Sequence, residues 1–450
     1  RLDENTAPEN FLRYLPKLHT DSKQWAFLKD QFIESVAHMD RAGDQPHRIQ
    51  DRGQESFPAE LGTFDTNEFQ NEPDTDWAMA ANRKWAETIR ARWRKTPQDS
   101  PDEIPLVVAG RETFEDREQR TCHDASLNDT DIEVARFALA NPADIETAVA
   151  TAKADPEGWR RQTLRERHRI LSKAAGELRR ARGDLIGAAA ANTGKIFSEA
   201  DVEISEGIDF AEYYPFSLRP YAKIDTLITQ GKGVGLVIAP WNFPIAIPCG
   251  GIVAALSAGN TVIFKPSSDA VLVAWLLCQC FWKAGISQNT LQFVPCSGAH
   301  VGARLTGHPD VDFVILTGGT DTGMAILKQR PNVFLAAETG GKNATIVTAM
   351  SDRGQAAKNI VYSAFGHCGQ KCSATSLAIL EEEVYEDPIF KRQLVDAARS
   401  LSVGSAWSFE NRMGPLIRPP KGALYKALTE LEPGESWALK PENRDNNPNL

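Results

Sequence analysis

From Gly233 onward the chain is written in short apolar runs separated by segments of helical length, and that alternation leaves few folds open to it. Residues 234–239, 261–265, 291–295, 311–317 and 333–337 each have strand length, and the stretches between them can hold crossover helices. The pattern predicts an α/β fold built on a parallel sheet, which collects ligands at the carboxyl ends of its strands. The distinctive short stretches of the sequence fall at those ends. Pro240-Trp241-Asn242-Phe243-Pro244 follows the first strand, Lys265 closes the second, and Thr317-Gly318-Gly319-Thr320-Asp321-Thr322-Gly323 follows the fourth.

Size and composition narrow the function. A chain of 450 residues can bury a large core and form two or three domains, which argues against a small binding module. No apolar run approaches the ~20 residues of a membrane span, so membrane association is expected only through a portion absent from this sequence. A net charge of −10 argues against nucleic acid as a partner. The seven cysteines, odd in number and scattered, fit reduced thiols, and no secretory signal opens the chain, so a cytoplasmic location is expected. The chain starts at Arg1 and stops at Leu450 in mid-pattern, as a fragment cut at both ends would.

Ahead of the sheet, Trp25, Leu28, Phe32 and Val36 have the spacing of a docking helix, and residues 40–103 read as a polar connector ordered by Trp77, Trp85 and Trp93. Residues 141–191 read as two long helices whose arginines, from Arg160 to Arg182, interleave with acids as on a solvated face. A further helix over 200–214 carries Glu203, Glu206 and Asp209, acids that such spacing normally leaves exposed.

The chemistry concentrates between Glu338 and Ala374. Glu338 stands where an apolar run, read as a buried strand, meets Gly340 and Gly341, and Cys372 follows Gly369-Gln370-Lys371. A thiol attacks as thiolate, and the neighbouring Lys371 is the kind of group that favours that form. An acid paired with a thiol suits covalent catalysis with a carboxylate base. A cysteine among Gly, Ala and Ser also fits a small buried hydrophobe, and Glu338 an ordinary strand-end acid. Asn242, in a proline-flanked turn, can be held rigidly as an oxyanion donor, or can be merely structural. Thr317, Gly318, Gly319 and Gly323 form a strand-to-helix turn able to present amides to a pyrophosphate, whereas Gly231-Lys232-Gly233-Val234-Gly235 precedes its strand and fails that condition. A Cys372–His367 hydrolase or acyltransferase is the rival enzyme class, although partners five residues apart rarely form a dyad. No thiol pair has zinc-finger spacing, so no metal site is expected.

These stretches, in this order, resemble the NAD(P)-dependent aldehyde dehydrogenase superfamily, and Phe365-Gly366-His367-Cys368-Gly369-Gln370-Lys371-Cys372-Ser373-Ala374 looks like its glutamate semialdehyde (1-pyrroline-5-carboxylate) branch. The resemblance implies an aldehyde dehydrogenase-like fold: a Rossmann-type parallel-sheet cofactor domain over residues 104–334 and a second α/β catalytic domain over 335–450, its C-terminal end missing. It implies Cys372 as nucleophile, Glu338 as base and Asn242 as oxyanion donor. Pro240, Trp241, Lys265, Ser267, Thr317, Gly318, Gly319, Gly323, Thr339 and Gly340 would hold the cofactor, and Ser373, Phe243 and Glu206 the substrate. NAD is the expected cofactor, with NADP left open because Ser268, followed by Asp269, stands where many members carry an acid. A small-molecule aldehyde is the expected partner, another carboxylated or aliphatic aldehyde the alternative substrate, and a homo-oligomer the expected assembly. Arg1-Leu2-Asp3-Glu4-Asn5 resembles the last helix of a proline dehydrogenase barrel, which makes residues 1–39 the tail of such a domain plus the docking helix. The parent would then be a bifunctional proline utilisation protein, with FAD expected only in the absent portion.

Overall fold

A computed structural model describes residues 11–15, 18–41, 48–56, 68–126, 132–224, 226–444 and 446–450. Arg1 and Glu4, the two residues that carry the proline dehydrogenase likeness, lie outside them. The chain forms two compact units, residues 1–50 and 51–450. In the first, the helix Lys23–Ala37 is capped by Ser22, whose Oγ accepts from Trp25 N at 3.1 Å, and Trp25, Phe32 and Val36 are exposed along it.

The second unit is organised by a seven-stranded sheet. In chain order its strands are β1 (Asp102–Ile104), β2 (Leu106–Val108), β3 (Arg111–Thr113), β4 (Gln119–His123), β5 (Glu133–Ala138), β6 (Val234–Ile238), β7 (Thr261–Lys265), β8 (Leu291–Phe293), β9 (Phe313–Gly318), β10 (Phe334–Thr339), β11 (Asn343–Val347) and β12 (Thr375–Leu380). The large sheet runs β10-β9-β6-β7-β8-β2-β3, a small one β1-β5-β4, and β11 pairs with β12. β10, β9, β6, β7 and β8 are parallel, while β2 is antiparallel to both β8 and β3. β6 and β7 are buried over almost their whole length, as continuous apolar runs covered by helices on both faces must be. From β6 the chain advances to β7 and β8 on one side and returns to β9 and β10 on the other. The crevice between the carboxyl ends of β6 and β9 is therefore the topological switch point, where an open parallel sheet binds its ligand.

Several expectations are corrected. The run 333–337 is no buried strand: among the described residues β10 pairs only with β9, and as an edge strand it leaves Phe334, Ala336 and Ala337 exposed. β10 belongs to the large sheet through Thr339, so a boundary at residue 334 would cut a strand. Residues 51–103, read as a connector, fold with the second unit. Residues 141–191 hold three α-helices, Pro142–Ala154, Leu164–Arg180 and Arg182–Thr193, the last two broken at Ala181. Their arginines are not all solvated. Arg182 is fully buried, and it donates to Asp201 Oδ1 and Glu72 Oε1, both at 2.8 Å, while Arg179 donates to Glu72 Oε2 at 2.8 Å and Glu212 Oε1 at 3.1 Å. These pairs clamp the 71–76 segment, whose Thr75 also donates to Asp201 from its backbone and its hydroxyl.

Candidate active site

The loop after β6 is held by charges the sequence pattern hid. Gly194, at φ +67°, ends the helix Arg182–Thr193 and turns Lys195 inward. There its ammonium, fully buried, lies 2.6 Å from Glu203 Oε2, donates to the backbone carbonyl of Asn242 at 3.0 Å and covers the Phe243 ring at 3.8 Å. Glu203, expected on an exposed face, is instead buried on the helix Phe197–Ser217. Its Oε1 accepts from Ile245 N at 2.6 Å and Ala246 N at 3.1 Å, at the start of the helix Ala246–Ser257, where a carboxylate also meets the positive end of the helix dipole. Breaking such a buried pair costs about 3–5 kcal/mol, so the Asn242 loop has little freedom.

Asn242 uses that rigidity. Its Oδ1 accepts from Phe243 N at 3.1 Å and its Nδ2 donates to the carbonyl of Gln370 at 2.7 Å. An amide nitrogen carries two hydrogens, so one bond fixes the plane and the other donor stays available.

Gln370 belongs to the loop that presents the thiol. After the helix Arg353–Phe365, His367 (φ +49°), Cys368 (φ +56°) and Gly369 (φ +70°) are successively left-handed. Two of them bear Cβ atoms, each costing roughly 1–3 kcal/mol in that region, a conformation that survives only where its surroundings enforce it. The enforcement is visible. His367 N donates to Glu199 Oε1 at 2.7 Å, Gln370 N to the His367 carbonyl at 3.0 Å, and Ile417 N to Gln370 Oε1 at 2.9 Å. On the far side, Asn343 Nδ2 donates to the carbonyls of Cys372 at 2.7 Å and Ala374 at 3.0 Å. Cys372 is exposed, Ser373 beside it also, while Cys122, Cys249, Cys278, Cys280 and Cys296 are buried and Cys368 is half-buried. Burial pushes the thiols of Cys122 and Cys280 up to about 12 and that of Cys368 to about 11, which suppresses their thiolates. Lys371, expected beside the thiol, sends its ammonium back toward Gly366 and the Tyr362 ring, 5.7 Å from the centroid.

Glu338 and Thr339 close β10, exposed, in register with Thr317 and Gly318 of β9. Five residues on, Asn343 reaches the Cys372 backbone, so one short segment ties the acid's strand to the nucleophile loop. Gly319 precedes the helix Thr320–Gln329, and no side chain caps that helix start. A Cβ built on Gly319 would meet nothing nearer than 4.0 Å, and one on Gly340 nothing at all within that distance. This open, amide-lined space fits a pyrophosphate. Lys265, at the end of β7, donates to the neighbouring Pro266 carbonyl at 3.2 Å. Ser267 Oγ accepts from Asp269 N at 3.3 Å, and the Asp269 carboxylate is taken by Arg418, whose Nε lies 3.1 Å away. Pro240 and Trp241 line the crevice edge half-buried, and Trp241 and Phe243 flank the His367 ring with centroids 6.0 and 6.4 Å away. Glu206 is exposed one turn past Glu203, yet the surrounding protein and the Glu203 charge raise its carboxyl above the usual range.

Lys195, Glu199, Glu203, Gln370 and Asn343 build the site although no local sequence pattern marks them for it. A glycine cap directly before a lysine is the one exception, since it marks a chain reversal that can turn the next side chain inward. A separate cavity of about 320 Å³ between the helix Ala80–Trp93 and Arg179, Arg180 and Arg182 lies outside this site; its arginines are spent on carboxylates.

A largely parallel sheet with its crevice at β6 and β9, and an exposed thiol on a loop braced against an asparagine loop, is an arrangement that fits a dinucleotide-dependent dehydrogenase. The chain belongs to the aldehyde dehydrogenase family, whose model matches residues 114–443. It is 35% identical over 386 residues to the 1-pyrroline-5-carboxylate dehydrogenase of Geobacillus kaustophilus, spanning 82% of this chain and 73% of the relative. Among solved structures, 1-pyrroline-5-carboxylate dehydrogenase from Thermus with bound NAD is similar at a TM-score of 0.73 and 32% identity, over 79% of this chain and 70% of that one. Proline utilization A from Bdellovibrio bacteriovorus gives 0.75 at 30% identity, over 93% of this chain and 42% of that one.

Proposed function

We propose that this chain carries the oxidation of L-glutamate 5-semialdehyde, from 1-pyrroline-5-carboxylate, to L-glutamate with reduction of NAD. The carrying observation is the braced loop: Cys372 is exposed on a segment whose Gln370 carbonyl is gripped by the Asn242 amide. Cys372 Sγ adds to the aldehyde carbon, and the oxyanion that forms takes the second Asn242 N–H and the Cys372 backbone N–H. Bound NAD supplies the hydride acceptor. Once oxidised, the adduct is a thioester on Sγ, and a water that gives its proton to Glu338 hydrolyses it, which releases the carboxylate and restores the thiolate. Thr317, Gly318, Gly319 and Gly323 hold the pyrophosphate, Lys265 and Ser267 the adenosine ribose, and Pro240, Trp241, Thr339 and Gly340 the remainder. Ser373, Phe243 and Glu206 face the substrate. A two-domain reading, with a cofactor domain built on the large sheet and a catalytic domain that follows β10, and a homo-oligomeric assembly belong to the same proposal.

NADP use is a specific second reading. Ser268 offers no charge against a 2′-phosphate, and Asp269 is neutralised by Arg418. An aldehyde panel run with each cofactor on the parent protein tests class, substrate and cofactor together. Glutamate semialdehyde with NAD is expected to yield NADH, and Cys372→Ser to abolish turnover while NADH binding persists. Undiminished turnover in that variant removes Cys372 from its role.

A further inference from the structure

We propose that Glu199 is a positioning residue for the nucleophile, holding the backbone N–H of His367 and through it the left-handed run that sets Cys372. The proposal rests on the reading of Cys372 as the attacking thiol. Helix Phe197–Ser217 places Glu199 and Glu203 four residues apart, hence on one face. Each grips a different loop. Glu203 holds the amides of Ile245 and Ala246 behind Asn242, and Glu199 holds the amide of His367 ahead of Cys372. The two loops then meet where Asn242 Nδ2 donates to the Gln370 carbonyl. One helical turn therefore sets the register between the oxyanion donor and the thiol-bearing segment.

The local chemistry supports a built device. His367 is buried, its ring packed against Trp241 and Phe243 of the Asn242 loop, so its backbone and its imidazole join both loops. Its Nδ1 stands 3.8 Å from Glu199 Oε2, beyond hydrogen-bond reach, which leaves the backbone contact at 2.7 Å as the grip. Burial raises the Glu199 carboxyl, while the His367 amide and the Lys371 and Lys195 ammoniums oppose that shift. His367 and Cys368 are left-handed without being glycine, a backbone state that needs an external hold. Among the described contacts to residues 366–372, Glu199 is the one that brings a charged acceptor to a backbone amide of that run.

Alkylation of Cys372 by iodoacetamide, followed by mass spectrometry over pH 6 to 9 on the full chain, tests this without any aldehyde. A failed substrate assignment therefore leaves the experiment intact. Cys372→Ser gives the background, and NADH binding gives the fold control. Glu199→Leu is expected to slow alkylation tenfold or more across the pH range, with NADH affinity held within twofold. Glu199→Gln, which keeps an oxygen acceptor, is expected to recover to within about threefold of the parent. Where turnover is measured, the loss in Glu199→Leu should fall on kcat rather than KM. A Glu199→Leu protein that reacts at the parent rate overturns the proposal, as does a Glu199→Gln protein as slow as Glu199→Leu, since charge rather than the held amide would then matter. Should Glu199→Leu not fold, Glu199→Asp decides, its carboxylate one methylene short: slowed alkylation supports the grip, and parent-like alkylation overturns it.

Discussion

Gly231 and Gly233 lead into β6 and Gly235 lies within it, whereas Gly318 ends β9 and Gly319 and Gly323 follow it, and the space around the two sets differs. A Cβ on Gly231 would lie 2.4 Å from the Gly259 carbonyl, on Gly233 2.0 Å from Asp312 Oδ2, and on Gly235 2.4 Å from the Phe313 ring. On Gly318, Gly319 and Gly323 the nearest approaches are 3.6, 4.0 and 3.5 Å, ordinary contact or open space. The first set is required by the protein's own packing, and nothing in the protein requires the second. A residue type without an internal reason points outward, to what lies against the backbone. The same division separates charges: Glu203 and Lys195 answer to the interior, whereas Glu338, exposed at the end of β10, does not.

The largest effect should come from the interior set. Lys195→Met leaves Glu203 buried without its counter-ion and the Asn242 carbonyl without its donor, an expected loss of about 3–5 kcal/mol in chemical denaturation. A loss under about 1 kcal/mol would mean that the charges are not interior in the sense argued. Gly233→Ala follows. At φ +132°, with Asp312 in the way and Val234 N donating to that same carboxylate at 2.7 Å, the substitution should cost roughly 2–4 kcal/mol. Unfolding curves that overlay the parent's would dissolve the contrast with Gly319.

A smaller and pH-dependent effect sharpens the same point at His367. Burial, aided by the Lys195 and Lys371 charges, holds this imidazole well below its ordinary 6.5. Between 6.5 and that lowered value the unfolded chain binds a proton that the folded chain refuses. Stability from this group is therefore complete above pH 6.5 and falls as the pH drops, by up to about 1.4 kcal/mol per unit. Glu199, whose carboxyl is raised from 4.5, works in the opposite direction, so the comparison is with His367→Asn, a residue that tolerates left-handed backbone. Stability measured from pH 7.5 to 5 should fall more steeply in the parent than in the variant. Parallel profiles would show that the ring titrates freely.

How much of this the chain announced follows the same division. The five parallel strands were legible because each is a run of apolar residues whose burial needs no particular partner, and their ends located Asn242, Lys265 and Gly318. What a residue meets from far along the chain was not legible. Arg182 reads as a surface arginine until Glu72 and Asp201 close on it, and Glu203 as a surface acid until Lys195 does. Residues 333–337 have a buried strand's composition, but edge position is a property of topology, and no local pattern encodes which strand comes last. Glu199 is not legible because it accepts from a backbone amide in a loop that only the fold brings near.

The smallest change in stability should accompany the clearest change in binding. Gly319 has φ −71° and ψ 143°, a conformation alanine adopts freely, and its Cβ would meet no protein atom closer than 4.0 Å. Gly319→Ala should therefore unfold within about 0.5 kcal/mol of the parent. The methyl would instead occupy the space in which a pyrophosphate approaches the amides at the start of helix Thr320–Gln329. NADH affinity, read by fluorescence titration, should fall about tenfold, roughly 1.4 kcal/mol. Full affinity in Gly319→Ala would move the dinucleotide away from β9 and leave that glycine without any reason, internal or external. Lost affinity with unchanged unfolding would make open space around a glycine a usable marker of where this chain meets its cofactor.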